Sequence, residues 1–145
     1  MPHAEHTVTV SRPPQDVFDY LAEGTHNREW RAGVLEIRRT SADDGKGATY
    51  RQVWAGPGGR RIDGDYQITV FDPPRRLEFK VTAGPARPAG VFELIPDAEG
   101  STRVRFSLDL DPAGLMKLMT PVIARQMRRE VAQLDNLKAI LERTP

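Results

Sequence analysis

The stretch RIDGDYQITVFDPPRRLEFKVTAG, residues 61–84, decides the fold that we predict for this chain. Apolar side chains alternate with polar ones on both sides of a short turn, which is the periodicity of half-buried strands. The turn is Asp72-Pro73-Pro74-Arg75, and a connection this short makes the two strands that it joins antiparallel. The apolar face of this hairpin consists of Ile62, Tyr66, Ile68, Val70, Leu77, Phe79 and Val81.

The strand pattern continues along the chain on both sides of this hairpin. The runs typical of strands are residues 34–40, 48–55, 61–71, 76–82, 90–95 and 102–110. Short turn-rich segments separate these runs, and residues 5–11 alternate in the same way near the start of the chain. Because short connections join antiparallel neighbours, we predict one sheet of about seven strands.

Helical signals stand on both sides of the strand region. Pro13 and Pro14 suit the first turn of a helix, and residues 25–31 form a second short helix that carries Trp30. Asp111-Pro112 is typical of a helix start, and Thr120-Pro121 repeats that signal at a break or kink. The positions that keep a spacing of three or four along this long last helix are Ile123, Met127, Val131 (or Glu130), Leu134, Leu137 and Leu141. The sequence therefore predicts a two-layer α+β protein in which the long C-terminal helix covers the dry face of the sheet, with two short helices between strands 1 and 2.

Composition narrows the function classes. The 145 residues fit a single domain, 1–145, and the formal net charge of +1 gives no reason to expect nucleic acid as a partner. The chain has no Cys, which excludes disulfides and thiolate chemistry. It also has no run long and apolar enough for membrane insertion and no apolar signal core. We therefore expect a cytoplasmic protein, a monomer or homodimer, without cofactor or metal.

Short motifs recur along almost the whole chain in an order that one known superfamily shares. The motifs are Val10, Arg12-Pro13-Pro14, Val17-Phe18, Tyr20-Leu21, Asn27, Trp30, Tyr66, Ile68, Phe71, Asp72-Pro73-Pro74, Arg76-Leu77, Phe92, Leu94, Gly100, Thr102, Val104, Pro121, Leu134, Leu137-Lys138 and Leu141-Glu142. Their order resembles the helix-grip (START-like, SRPBCC) superfamily and is most similar to its bacterial polyketide cyclase/dehydrase branch. The resemblance implies the helix-grip fold, in which a seven-stranded curved antiparallel sheet grips the long C-terminal helix with an apolar cavity between them. It also implies hydrophobic ligands such as lipids or polyketides, and reactions in a few members.

Aromatic and Met side chains are expected to line this cavity, since Met adapts to ligands of varied shape. The alternative is that the same residues fill an ordinary core. The residues that we expect to line the cavity are Trp30, Tyr50, Gln52, Trp54, Tyr66, Ile68, Phe79, Phe92, Phe106, Met116, Met119, Ile123 and Met127.

Polar residues within the apolar pattern are candidates for orienting a ligand. Strand parity with Tyr50 and Trp54 points Gln52 inward, although Val53 is the alternative inward residue. Asp63 and Asp65 flank Gly64 and fall on the wet face unless a bulge at the glycine reverses them.

The three histidines carry weaker signals. His3 and His6 lie near the N-terminus without a Cys neighbour, so we expect no metal site there. His26 lies between the two short helices, where a surface or capping role is favoured over a proton shuttle.

Strand counting places alternate hairpins at the same end of the sheet. Residues 56–59, 84–89 and 111–114 therefore share one end, and residues 42–47, 72–75 and 96–100 share the other. The first group is rich in Gly and Pro and poor in charge, so we predict the cavity mouth there. The residues that we expect to border the mouth are Pro57, Pro85, Arg87, Leu115 and Met119.

Three function classes follow from these expectations. The first is a carrier or sensor that binds a small hydrophobic ligand, and the second is a cyclase/dehydrase (aromatase) type of enzyme using the same cavity. Catalytic residues are unknown in that second class, with Gln52, Tyr66 and His26 as the suspects. The third class is a protein-interaction module.

Overall fold

A computed structural model of the chain describes residues 2–111 and 120–143. Eight strands lie within these residues: β1 (His3–Val10), β2 (Val34–Arg39), β3 (Thr49–Ala55), β4 (Arg61–Asp63), β5 (Tyr66–Asp72), β6 (Arg76–Val81), β7 (Ala89–Pro96) and β8 (Thr102–Asp109). The helices are α1 (Pro14–Ala22), α2 (Asn27–Trp30), α3 (Thr120–Ala132) and α4 (Leu134–Arg143). Single 3-10 turns span Gly24–His26 and Pro57–Gly59.

The strands form one curved antiparallel sheet in the order β1-β8-β7-β6-β5-β3-β2, with the short β4 beside β3. The predicted hairpin is β5–β6, in which Tyr66 faces Val81 and Asp72 faces Arg76. The first strand pairs with the last at one edge of the sheet, from His3 opposite Asp109 to Val10 opposite Thr102. The α+β helix-grip prediction is confirmed, including the two short helices between β1 and β2.

The C-terminal helix covers the dry face of the sheet, as its apolar spacing predicts. Helices α3 and α4 pack against β1, and they bury Met127, Val131, Leu134, Leu137 and Leu141. The helix is interrupted at Gln133, where successive three-residue hydrogen bonds tighten the backbone: Gln133 N donates to Glu130 O and Asn136 N donates to Gln133 O. This junction also holds α2, because Ala32 N donates to Gln133 Oε1 and Asn136 Nδ2 donates to Trp30 O.

Two irregularities interrupt the strand alternation that the sequence predicts for residues 61–71. The run 61–71 is not one strand, because the ladder breaks at Gly64 and Asp65 between β4 and β5. A register shift between Ile68 and Val70 also changes the parity of β5. Phe71 consequently packs edge-on against Phe18, with ring centroids 5.2 Å apart, although strict alternation predicts that it faces away from the core.

The predicted start of the last helix at Asp111-Pro112 lies largely outside the described residues, as do Leu115, Met116 and Met119. The described part of the helix begins at Thr120, so a break at Thr120-Pro121 stays a prediction. Within residues 2–111 and 120–143, no helix is long and apolar enough to cross a membrane.

Candidate functional site

A wall of aromatic rings lines the concave side of the central strands. Tyr50 stacks on Tyr66 at 5.0 Å between centroids, Phe79 meets Tyr66 edge-on at 5.5 Å, and Phe92 stacks on Phe106 at 4.3 Å. Trp30 closes the row from α2, with its ring about equally far from Phe92 and Phe106, at 6.1 Å and 6.0 Å. These are the edge-to-face and offset arrangements that aromatic quadrupoles favour, so the wall is well ordered.

A polar cluster interrupts this wall where α2 faces β3 and β5. Asn27 Nδ2 donates to both Gln52 Oε1 and Tyr66 Oη, each at 3.2 Å. Gln52 Nε2 in turn donates to Gly64 O at 3.4 Å. Burial raises the pKa of Tyr66 well above its ordinary value, so this phenol keeps its proton and can donate it to a ligand oxygen.

Arg31 adds a positive charge to the same interior. Its side chain follows directly after α2, is 5% exposed, and donates from Nη2 to Glu130 Oε2 of α3 at 3.1 Å. The guanidinium carbon lies 4.7 Å from the Trp54 ring centroid and 5.5 Å from that of Phe106. A cation among aromatic faces is favourable when it is shielded from water.

Gly24 makes room for the tyrosine pair. A Cβ at this position would overlap Tyr66 Oη and would come within 2.7 Å of the Tyr50 ring. The backbone amide of Gly24 also donates to Tyr50 Oη at 3.3 Å. Gly24 therefore lets the 3-10 turn lie directly on the rings.

These groups surround a small interior cavity. It is bordered by Leu21, Ala22, Gly24, Asn27, Arg31, Tyr66, Ile68, Leu77, Phe79 and Phe92. Its volume is about 10 Å³, which is room for about one water molecule, whereas drug-sized ligands occupy pockets of about 300–1,000 Å³. The expected large cavity is therefore not open among the described residues in this conformation, and a ligand of that size requires the walls to move apart.

The structure gathers part of the predicted lining and disperses the rest. Tyr66, Ile68, Phe79 and Phe92 border the cavity, whereas Trp30, Tyr50, Gln52 and Phe106 are buried directly around it. Gln52 and Val53, which the sequence offered as alternatives, are both buried. Trp54 is half-buried beside Arg31, Met127 is buried under the helix, and Ile123 packs at the edge of the core.

Of the candidate acid–base residues, His26, Asp63 and Asp65 do not border the interior cavity. His26 stacks on Tyr20 at 4.2 Å and borders an outer groove of about 300 Å³ instead of the interior cavity. Asp63 is exposed, and Asp65 Oδ1 accepts a hydrogen bond from Gln52 N at 3.2 Å, which is a structural role. His3 on β1 forms a 2.6 Å hydrogen bond with Asp109 on β8. His6 on β1 forms a 2.8 Å hydrogen bond with Asp135 on α4. Among the described residues, no group of three or more His, Cys, Asp or Glu side chains is placed to hold a metal.

Sequence reasoning missed Arg31 and gave Asn27 no role in the site. The signal was present, because Asn27, Trp30 and Arg31 have the i, i+3, i+4 spacing of one helical face. All three are buried in the structure.

Comparison with protein families gives one match across nearly the whole chain. The model of the family described as polyketide cyclase/dehydrase and lipid transport matches residues 1–142. The chain belongs to this family. A comparison with curated protein sequences finds no match.

Solved structures with the same fold are distant in sequence. The protein TTHA0849 from Thermus thermophilus superposes with a TM-score of 0.82 at 18% identity, over 99% of this chain and 100% of that one. A START superfamily protein from Mycobacterium smegmatis gives 0.80 at 12% identity, over 99% of both chains. The di-domain ARO/CYC BexL of the BE-7585A biosynthetic pathway gives 0.70 at 21% identity, over 100% of this chain and 48% of that one. At these identities the likeness shows the fold alone.

Proposed function

We propose that the protein binds a small hydrophobic molecule, aromatic or polycyclic, between the curved sheet and the helices that cover it, as a carrier or sensor. The observation that carries the proposal is the polar cluster of Asn27, Gln52 and Tyr66 set into an aromatic wall. An apolar lining with a few placed polar groups is the usual composition of a small-molecule site. Membership in a family described by cyclase/dehydrase and lipid-transport functions supports the same conclusion.

The experiment uses N-phenyl-1-naphthylamine, a neutral dye whose fluorescence rises in apolar surroundings. We expect the folded protein to increase the dye's fluorescence, and 2-naphthol to displace it. Ile68→Phe narrows the cavity and should weaken dye binding about tenfold, whereas Ile95→Phe makes the same change at an exposed position and should leave it unchanged. A cooperative thermal transition in both variants controls for folding. No fluorescence rise with the wild-type protein would overturn the proposal.

Ligand entry requires the walls to open, and we propose that the mouth is formed by residues 56–59 and 84–89. Tyr66 lies opposite Val81, so the polar cluster is close to the end of the sheet that carries both loops. Pro57, Pro85 and Arg87 are exposed there. Gly58, Gly59 and Gly84 have positive φ, so these loops depend on glycine for their shape. Hydrogen exchange with the dye bound should show protection in these two loops, and protection confined to residues 42–47, 72–75 and 96–100 would reverse the assignment.

Tryptophan fluorescence provides a second readout. Trp30 is buried beside the aromatic wall and Trp54 lies against Arg31, so a bound aromatic molecule should quench one or both. Trp30→Phe and Trp54→Phe then divide the signal between them. If neither variant changes the signal on adding 2-naphthol, the ligand lies elsewhere.

A cyclase/dehydrase activity is the second candidate, and the protonated Tyr66 favours it. Because burial raises the pKa of Tyr66, its hydroxyl would orient a substrate carbonyl by donating a hydrogen bond rather than by accepting a proton. Native mass spectrometry of the protein from its own host tests both candidates. A co-purifying unmodified hydrophobic molecule supports carriage, and a mixture of a linear chain and its cyclised, dehydrated product supports catalysis. We keep the cytoplasmic location and the monomeric or homodimeric state as predictions.

A further inference from the structure

Among the described residues that border the cavity, Arg31 is the one that carries a charge. It is 5% exposed and borders the cavity together with Tyr66 and Phe92. Arginine is almost never fully buried unless it is paired. Its position therefore calls for a full set of acceptors around it.

That set is incomplete among the described residues. Arg31 Nη2 donates to Glu130 Oε2, but the buried Nε has no hydrogen-bond partner. A guanidinium carries five N–H donors in a fixed fork that matches a carboxylate. The neighbours on its open sides include the faces of Trp54 and Phe106, which attract the cation but accept no strong hydrogen bond.

Attachment of the C-terminal helix to α2 does not account for this arginine. The bonds from Ala32 N to Gln133 Oε1 and from Asn136 Nδ2 to Trp30 O already join the segment around α2 to the α3–α4 junction. A buried ion pair also adds little stability, because removing both charges from water offsets most of their attraction. A cation that borders a cavity and has an unused donor is suited to binding an anion there.

We propose that the ligand carries an anionic group, a carboxylate or an ionised phenol or enol, and that Arg31 binds this group in the cavity. This inference rests on the proposed function and names the chemical class of its ligand. Glu130 has the same sign of charge as the ligand and shares the guanidinium with it, so Glu130 weakens anion binding. The aromatic rings of the wall then receive the apolar body of the ligand.

The test compares 2-naphthoate with 2-naphthamide by isothermal titration calorimetry. The two molecules share ring and shape and differ in charge. In an apolar site without a cation, the amide binds better because the carboxylate loses its hydration. We expect the wild-type protein to bind the carboxylate about tenfold more tightly than the amide, as one charge-assisted hydrogen bond can provide.

Variants on both sides of the ion pair make the prediction specific. Arg31→Gln should abolish or reverse the preference for the carboxylate while leaving the amide affinity within about twofold. Glu130→Gln should strengthen carboxylate binding about tenfold and leave the amide unchanged, which a merely structural role for the pair would not produce. Arg28→Gln, an exposed arginine on α2, is the matched control and should change neither affinity.

Each outcome decides one question. Binding of N-phenyl-1-naphthylamine without any preference for 2-naphthoate, or with a preference that survives Arg31→Gln, overturns the inference and leaves the proposed function standing. No binding of the dye overturns both. If Arg31→Gln does not fold, Glu130→Gln and Arg31→Lys decide, because unchanged carboxylate affinity in both also overturns the inference.

Discussion

Two buried regions of this molecule differ in the side chains that fill them. Where α3 and α4 lie on the sheet, the interior is aliphatic, and Val10, Leu134 and Leu137 have no exposed area. Where α2 faces β3 and β5, the buried side chains include Asn27, Gln52 and Arg31. We call these the aliphatic region and the polar region.

This difference indicates that the aliphatic region stabilises the fold, and we expect the polar region to bind the ligand. Burying aliphatic surface contributes roughly 25 cal/mol per Å² and needs no partner. Burying an amide or a guanidinium costs free energy unless every donor and acceptor is satisfied, and the Nε of Arg31 and the Nε1 of Trp30 lack partners among the described residues. Groups retained at such a cost are where we expect function.

The largest expected effect is a loss of stability on substitution within the aliphatic region. Leu137→Ala removes a side chain with no exposed area and should lower the free energy of unfolding by about 2–5 kcal/mol. Urea denaturation measures this loss, and dye affinity at a temperature where the variant is folded should stay within about twofold. Val122→Ala, at an exposed site on α3, is the control and should cost less than about 0.5 kcal/mol. A loss that small for Leu137→Ala would contradict the assignment.

Gly24→Ala should affect both stability and binding. The new methyl group overlaps Tyr66 Oη and the Tyr50 ring, and such overpacking costs about 1–3 kcal/mol. Because the tyrosines must shift, affinity for 2-naphthamide should fall as well. Thr25→Ala, at the next and exposed position, should leave stability and affinity unchanged. Equal behaviour of the two variants would show that the tyrosine pair adjusts freely.

Tyr66→Phe should lower ligand affinity more than it lowers stability. It removes one hydroxyl that accepts from Asn27, which still bonds Gln52, so the stability loss should be about 1 kcal/mol or less. Affinity for 2-naphthamide should nevertheless fall severalfold, because the hydroxyl can no longer donate to the amide oxygen. Tyr20→Phe removes a hydroxyl that bonds Glu29 outside the cavity and should not change this affinity. Loss of stability without loss of affinity would make Tyr66 a structural residue.

The smallest effect is a pH dependence at the rim of the aliphatic region. The hydrogen bond to Asp109 raises the pKa of His3 above the ordinary 6.5, so the protonated form is favoured in the folded state. This contribution is present below about pH 6.5 and is lost as pH rises through the folded pKa. Since the side chain is 44% exposed, solvent limits it to a few tenths of a kcal/mol. His3→Gln should lower the melting temperature slightly at pH 5.5 and not at pH 8.5. An equal change at both pH values would contradict the titration.

Much of the fold was predictable because it depends on local periodicity. The alternation in residues 61–84, the short turns and the helical spacing after Pro121 are consequences of neighbouring residues alone. The sequence offered an irregularity at Gly64 only as an alternative and gave no sign of the register shift at Ile68, since both depend on how β3, β4 and β5 pair. One such shift changes which face Phe71 occupies.

The candidate site was predictable in its aromatic part and not in its charged part. Tyr66, Phe79 and Phe92 follow from strand parity. Arg31 has the helical spacing of Asn27 and Trp30, but arginine is usually exposed, and its partner Glu130 lies 99 residues further along the chain. His26, for which the sequence favoured a surface or capping role over a proton shuttle, borders an outer groove and not the interior cavity.

The sequence by itself determined the order of the elements, the dry face of the sheet and the amphipathic helix that covers it, because each follows from spacing within a few residues. Only the tertiary structure decided that a guanidinium, two amides and a phenol meet inside the aromatic wall. It also decided that their cavity is about 10 Å³ in this conformation. Both depend on how segments that are far apart in the chain pack against one another. No local sequence pattern therefore specifies the volume that remains between these closely packed segments.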